Sequence, residues 1–223
     1  NDEPTTTIYE NQAGQGFTPS NDLTLPNLFG TSMDSGDLDN DGDIDFVING
    51  MEIVNGTNVW KKYIYIREGN TLIQEEDFNN QFGIGQGVKN GSVKIADNQF
   101  DGDLDIIIVG ESGSKSQLNT LINSNYQGNY YYNNYVTDLD FSSMTLFGDY
   151  VYYMGKYQEE IRIYRRSLVT NQEEQMSGID GLINGSIAIA DYNNDGMPDM
   201  VLTGENENAE SITKLYDGTN SYN

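Results

Sequence analysis

Asp37-Leu38-Asp39-Asn40-Asp41-Gly42-Asp43-Ile44-Asp45 reads D-x-D-x-D-G-x-x-D. The pattern returns twice. Asp97-Asn98-Gln99-Phe100-Asp101-Gly102-Asp103-Leu104-Asp105 gives D-x-Q-x-D-G-x-x-D, and Asp191-Tyr192-Asn193-Asn194-Asp195-Gly196-Met197-Pro198-Asp199 gives D-x-N-x-D-G-x-x-D. A hard cation such as Ca²⁺ takes about six to eight oxygen ligands. Oxygen donors at positions 1, 3 and 5 turn inward together when the backbone coils, and glycine at position 6 permits the sharp turn. A main-chain carbonyl at position 7 and a carboxylate at position 9 close the cage. A single such loop is within reach of chance in an acidic chain; three in one register are not.

The flanks decide the fold class. An EF-hand would place a glutamate at position 12 and a helix on either side. Here the last acid runs straight into β-type residues: Phe46-Val47-Ile48-Asn49-Gly50, Ile106-Ile107-Ile108-Val109-Gly110 and Met200-Val201-Leu202-Thr203-Gly204. Ahead of two loops, Asn90–Ala96 and Asn184–Ala190 alternate apolar with small or polar residues, as half-buried strands do. The expected unit is strand, metal loop, strand. Gly50, Gly110, Gly155 and Gly204 close the second strands, with gaps of 60, 45 and 49 residues. Periods of this size point to propellers or solenoids. In the third copy, Leu146-Phe147-Gly148-Asp149 passes directly to its second strand, as if the loop had been deleted. A third strand is expected at 63–66, 120–122, 161–164 and 213–216.

These loops and their flanks resemble the FG-GAP/VCBS repeat family, the calcium-binding blades of β-propellers in integrin α-subunits and many secreted bacterial proteins. The resemblance covers nearly the whole chain. It implies an all-β, propeller-like array of four-stranded blades, with a Ca²⁺ loop between the first two strands of a blade and about three ions in all. Residue by residue it implies ligands at Asp37, Asp39, Asp41, Asp43 and Asp45; at Asp97, Gln99, Asp101, Asp103 and Asp105; and at Asp191, Asn193, Asp195, Met197 and Asp199. Of these, Asp43, Asp103 and Met197 serve through main-chain oxygen. Gln99 departs from the pattern with a longer, neutral arm, so the second loop is expected to bind more weakly than the first. The expected divisions are the end of a preceding blade at 1–30, blades at about 31–90, 91–140 and 141–184, and an incomplete last blade at 185–223. Thr7-Ile8-Tyr9-Glu10-Asn11 resembles Lys214-Leu215-Tyr216-Asp217-Gly218. This suggests either part of a larger ring, with further blades in a longer chain, or a ring closed by strands from both termini.

Composition narrows the function. Lys and Arg number 11 against 35 Asp and Glu, a formal net charge of −24. Such a surface disfavours nucleic acid, which needs a basic footprint, and disfavours anionic membranes. Twelve of the 35 acids lie in the three loops, so a metal in each would relieve about a third of the repulsion. There is no cysteine, hence no disulfide to report an oxidising compartment, and no apolar run long enough to span a membrane. Loops as weak as those of extracellular modules, with Kd of roughly 10⁻⁴–10⁻³ M, fill outside a cell and stay empty in cytosol.

Catalysis has little to draw on. There is no histidine and no cysteine nucleophile. Gly83-Ile84-Gly85-Gln86-Gly87 lacks the Lys-Ser/Thr of a phosphate loop and is expected as a turn between units. Asn55-Gly56-Thr57, Asn90-Gly91-Ser92 and Asn184-Gly185-Ser186 are formal N-glycosylation acceptors, but Asn-Gly is first of all a turn dipeptide. Trp60 and the cluster Tyr130, Tyr131 and Tyr132 suit either strands or recognition surfaces. The expectation is a non-catalytic, calcium-stabilised extracellular module for adhesion or for binding protein or glycan. Two alternatives stand beside it: an accessory propeller of a secreted glycan-active hydrolase or lyase, and a structural spacer in a surface filament.

Overall fold

The computed structural model describes residues 4–75, 87–98, 100–112, 115–123, 130–137, 140–157 and 160–218, with backbone alone at 112, 115–123, 130–137, 140–142 and 157. Among the described residues the chain is all-β. A short hairpin comes first, β1 (Tyr9–Asn11) against β2 (Phe17–Pro19). The first large sheet is β3 (Phe29–Gly36), β4 (Asp45–Val54), β5 (Thr57–Glu68) and β6 (Thr71–Gln74). The second is β7 (Lys89–Ala96), β8 (Asp105–Ser112), β9 (Lys115–Asn123) and β10 (Tyr130–Thr137). The third is β11 (Asp140–Phe147), β12 (Tyr150–Tyr157), β13 (Glu160–Ser167) and β14 (Glu173–Gln175). The fourth has three strands, β15 (Ile183–Ala190), β16 (Asp199–Glu205) and β17 (Ser211–Tyr216). Every sheet is an antiparallel meander in which each strand pairs with the next in sequence.

Some details differ from the sequence reading. The first strands begin at Phe29, Lys89, Asp140 and Ile183, one or two residues ahead of the expected unit limits. The segment Tyr9–Asn11 does not extend the last sheet; its strand partner is Phe17–Pro19, within its own turn's reach. Asn90-Gly91 and Asn184-Gly185 are not turns ahead of a strand but bulges inside β7 and β15, with Asn90 and Asn184 at φ of 51° and 52°. Their side chains are engaged, Asn90 Nδ2 donating to Glu111 and Asn184 Nδ2 to Glu205. Asn55-Gly56 is a hairpin turn between β4 and β5, both residues at positive φ.

The large sheets stack face to face through three apolar layers. Val47 and Ile64 of the first sheet meet Val93, Ile106 and Ile108 of the second. On the reverse of β8, Ile107 and Val109 meet Met144, Val151 and Tyr153 of the third. On the reverse of β12, Tyr152 and Met154 meet Met200 and Leu202 of the fourth. A strand covered on both faces reads as a continuous apolar run, which is why Ile106-Ile107-Ile108-Val109 shows no alternation. First strands of successive sheets also lie side by side, β3 with β7, β7 with β11 and β11 with β15.

The glycines expected to close the second strands lie inside them, Gly50 in β4, Gly110 in β8 and Gly204 in β16, and one repeat position explains these three. The residue entering the unit packs on it: Leu28 on Gly50, Val88 on Gly110 and Leu182 on Gly204. A Cβ on Gly110 would fall 2.5 Å from Val88 Cγ2, and Gly110 and Gly204 adopt φ of 156° and 150°. Only glycine satisfies both the space and the backbone.

A buried amide ties the first sheet to the second. Asn49 is fully buried; its Nδ2 donates to the Val88 carbonyl at 2.8 Å and its Oδ1 accepts from Val88 N–H at 2.7 Å. The side chain thus stands in for a neighbouring strand. Asn49→Leu leaves both Val88 groups orphaned in an apolar layer, at about 1–3 kcal/mol for each group. Urea unfolding should show that loss; an unchanged midpoint would remove Asn49 from the joint.

Candidate metal centres

The three acidic loops connect β3 to β4, β7 to β8 and β15 to β16, and they share one internal wiring. The carboxylate at position 1 accepts the N–H groups of positions 5 and 6. Asp37 takes Asp41 and Gly42 at 3.0 and 3.0 Å, Asp97 takes Asp101 and Gly102 at 3.1 and 3.0 Å, and Asp191 takes Asp195 and Gly196 at 3.0 and 2.9 Å. The carboxylate at position 5 accepts the N–H of position 7, as in Asp41 with Asp43, Asp101 with Asp103 and Asp195 with Met197. Position 3 joins through Asp39 and Asn193, each taking the N–H of position 5. Gln99 lies outside the described residues. Glycine at position 6 has φ of 95°, 94° and 87°, beyond the comfortable range of other residues.

Position 9 is the buried member. Asp45, Asp105 and Asp199 are at most 2% exposed. One oxygen of each accepts the N–H of position 2: Leu38 at 2.7 Å, Asn98 at 3.0 Å and Tyr192 at 3.0 Å. The other oxygen reaches the far end of the third strand, Arg67 N–H for Asp45 and Gly218 N–H for Asp199, both at 2.8 Å. Burial pushes the Asp45 carboxyl up to about 6; its two N–H donors pull the other way, and Asp39 and Asp41 add to the rise. Asp39 is raised for the same leading reason, with Asp41 next.

Carboxylate oxygens of Asp37, Asp39 and Asp45 converge within 4.8 Å of one another. Two further groups bring in acids that the motif does not contain: Glu68 beside Asp39 and Asp41, and Asp217 beside Asp195 and Asp199. Among the described residues the second loop has no such group of three. The meander explains the newcomers. The third strand runs antiparallel to the second, so its last residues return to the loop end of the sheet; an acid just after a predicted third strand was the available signal. The donor sets are all oxygen, with no histidine or cysteine in the chain, which fits a hard cation over a transition metal. In the third sheet β11 and β12 meet through Gly148-Asp149 alone, and no group of three includes Asp149 among the described residues.

The aromatic candidates lie elsewhere. Tyr130, Tyr131 and Tyr132 open β10, the last strand of the second sheet, and their side chains are outside the description. Trp60 is half-buried, its ring edge 3.4 Å from where a Cβ on Gly30 would stand. It is therefore a packing residue on at least one side.

Two outcomes follow for the metal-free protein. Phe100 holds φ of 58° where the other loops place Asn40 and Asn194 at 61° and 59°. Asparagine tolerates that region and phenylalanine does not, and Phe100 is 64% exposed, so its ring contributes little packing. Phe100→Asn should stabilise the fold by about 1 kcal/mol in thermal or urea unfolding; destabilisation would mean the ring is needed. Asp45, raised in the folded state, binds its proton more readily folded than unfolded. Its contribution is therefore full below the ordinary carboxylate range and lost as pH rises through about 6. In EDTA, Asp45→Asn should flatten the stability–pH curve between about 4 and 6; an unaltered slope would contradict the assignment.

No known family's sequence profile matches this chain, and no curated protein matches it. A search of solved structures returns the crystal structure of a thermostable family-43 glycoside hydrolase at 10% identity, covering 82% of this chain and 70% of that one with a TM-score of 0.43.

Proposed function

We propose that the chain is a non-catalytic, calcium-stabilised recognition module of β-propeller build, acting outside the cell or on its surface. The loop geometry common to 37–45, 97–105 and 191–199 carries this reading. Three loops repeat one pattern of main-chain donors, and each keeps a buried carboxylate at position 9 and a glycine turn at position 6. Folding that much negative charge into three tight turns costs energy unless a cation shares the oxygens. The stacked meanders, with first strands side by side, are what blades around an axis require. The resemblance to FG-GAP/VCBS repeats points the same way.

In this reading calcium is structural. Asp37, Asp39, Asp41, Asp45 and the main chain at Asp43 hold one ion. Asp97, Gln99, Asp101, Asp105 and the main chain at Asp103 hold a second. Asp191, Asn193, Asp195, Asp199 and the main chain at Met197 hold a third. Each ion fixes the turn between two strands and neutralises charge there. Partner binding falls to other surfaces, a protein or a glycan meeting loops and aromatics such as Tyr130, Tyr131, Tyr132 and the half-buried Trp60.

Calcium binding to the native state alone adds about 2.7 kcal/mol per site when the free ion is about 100 times Kd. Melting curves in calcium and in excess EGTA should separate clearly. Calorimetry should find about three sites, with Asp41→Ala costing more affinity than Asp101→Ala. Coincident melting curves would sink the structural role of the metal. Glycan or polysaccharide turnover lost on mutating one carboxylate outside the loops would sink the non-catalytic reading.

A further inference from the structure

The third sheet does without an acidic loop, and that leaves room at the same place. In the first sheet the loop leans over the turn that follows the third strand. Asp45 accepts Arg67 N–H and Asp43 accepts Gly69 N–H, at 2.8 and 2.7 Å. In the third sheet β11 and β12 are joined by Gly148-Asp149 alone, and the Asp149 carbonyl accepts Leu168 N–H at 2.8 Å. No loop leans over the turn from β13 to β14. Beside that turn lies a cleft of about 350 Å³, lined by Tyr150, Ser167, Thr170, Gln172, Glu173 and Glu174. Ligand pockets run from about 300 to 1,000 Å³, so this one suits a small ligand or one unit of a longer one.

The charges of the cleft are matched. Glu174 pairs with Arg165; Glu173 accepts the Tyr153 hydroxyl proton and lies 3.9 Å from Arg166. A metal ion or an ammonium group meets carboxylates that already have partners. An anion meets a chain at −24. What stays unspent is the hydrogen bonding of neutral groups. Ser167 is 4% exposed; its Oγ accepts Thr170 N–H at 3.1 Å, while its own proton has no acceptor among the described residues. Buried donors are nearly always satisfied, so this one calls for an acceptor from outside the chain. The Thr170 hydroxyl accepts Gln172 N–H at 3.4 Å and its proton is likewise unspent among the described residues. Glutamine at 172 adds an amide that both donates and accepts. Tyr150 is half-buried, with the Arg165 guanidinium over its ring, and offers an apolar body with a polar edge.

We infer that this cleft binds one neutral sugar unit of a glycan, which rests on the recognition-module reading and gives it a site. A pyranose supplies what the lining lacks. Its hydroxyls accept from Ser167 and Thr170, exchange hydrogen bonds with Gln172, and donate to the remaining carboxylate oxygens, Glu173 Oε1 and Glu174 Oε2. Its C–H groups suit the Tyr150 ring. The site takes no oxygen from the three metal loops, so calcium holds the scaffold while the loopless sheet does the binding.

Titration calorimetry and saturation-transfer NMR on the whole chain in calcium test this. The neutral probes are cellotriose, xylotriose and mannotriose; a glucosamine trimer and a galacturonate trimer serve as charged ones. At least one neutral probe should bind, with an affinity unchanged between low and high salt because no net charge is engaged. Gln172→Ala and Thr170→Val should each weaken that binding by about 5- to 10-fold, the worth of a hydrogen bond, and Tyr150→Ala by at least as much. Tyr150 also packs on the layer facing the fourth sheet, so the two exposed variants decide if Tyr150→Ala lowers the melting temperature. Binding that follows these variants while the probe is cleaved supports the site and sinks only the non-catalytic reading. Binding lost in Tyr131→Ala but kept in Gln172→Ala and Thr170→Val overturns the site and leaves the recognition reading standing. Failure of every neutral probe to bind, or binding of a charged probe alone, overturns the inference.

Discussion

A buried carboxylate at the ninth position anchors each acidic loop. Asp45 and Asp199 grip the start of their own loop with one oxygen and the end of the third strand with the other. Three chain segments separated in sequence are thereby fixed to one side chain at the base of the second strand. The charge is withdrawn from water, so its two N–H donors are obligatory. Every other acid of the loop is arranged around that fixed point, which also sets the register of the strand that follows.

From that register the stacking follows. With position 9 fixed, alternate residues of the second strand face the preceding sheet and the following one without ambiguity. In the second and third sheets the second strands are covered on both faces, and Ile106-Ile107-Ile108-Val109 and Val151-Tyr152-Tyr153-Met154 are buried without alternation. In the fourth the face with Ile187, Met200 and Leu202 is covered, and Val201 on the other face is 42% exposed. The third sheet keeps the stacking without a loop: Tyr150 occupies the repeat position of Asp45, with the Arg165 guanidinium 4.9 Å above its ring. A two-residue turn suffices to join β11 and β12, so the long acidic loops are additions to the meander rather than conditions for it.

The loops and the strands beside them were legible because their signals are local. Nine residues contain the donor pattern, and the five after each, such as Phe46–Gly50, carry the strand signal. The alternate spacing of oxygen donors at loop positions 1, 3 and 5 and the apolar runs needed no knowledge of neighbours. What stayed hidden depended on which sheet meets which. Lys62 follows Trp60 and Lys61 with nothing local to mark it as buried, yet it is 3% exposed, because it shares the covered face with its cross-strand partner Asn49. Burial lowers its ammonium to about 7. Asn49 itself gives no sign in sequence of pairing with Val88, 39 residues away. Glu68 and Asp217 reach the loops only because the meander brings the third strand back. The pairing of Tyr9–Asn11 went unread because its likeness to the C-terminal strand outweighed the nearer Phe17–Pro19.

The sequential pairing of strands also shapes how the molecule is made and unmade. Each sheet gathers residues close in sequence, so its loop-closure entropy is small and its contacts form early. Long-range order enters only where one sheet lies on the next, which makes the chain a linear array with nearest-neighbour coupling. The second and third sheets are protected by a neighbour on each face. Among the described residues the fourth sheet has three strands and an exposed Val201 face, less cover than the second and third sheets have. Amide hydrogens of β16 and β17 then exchange ahead of those of β8 and β12, and unfolding begins at that end.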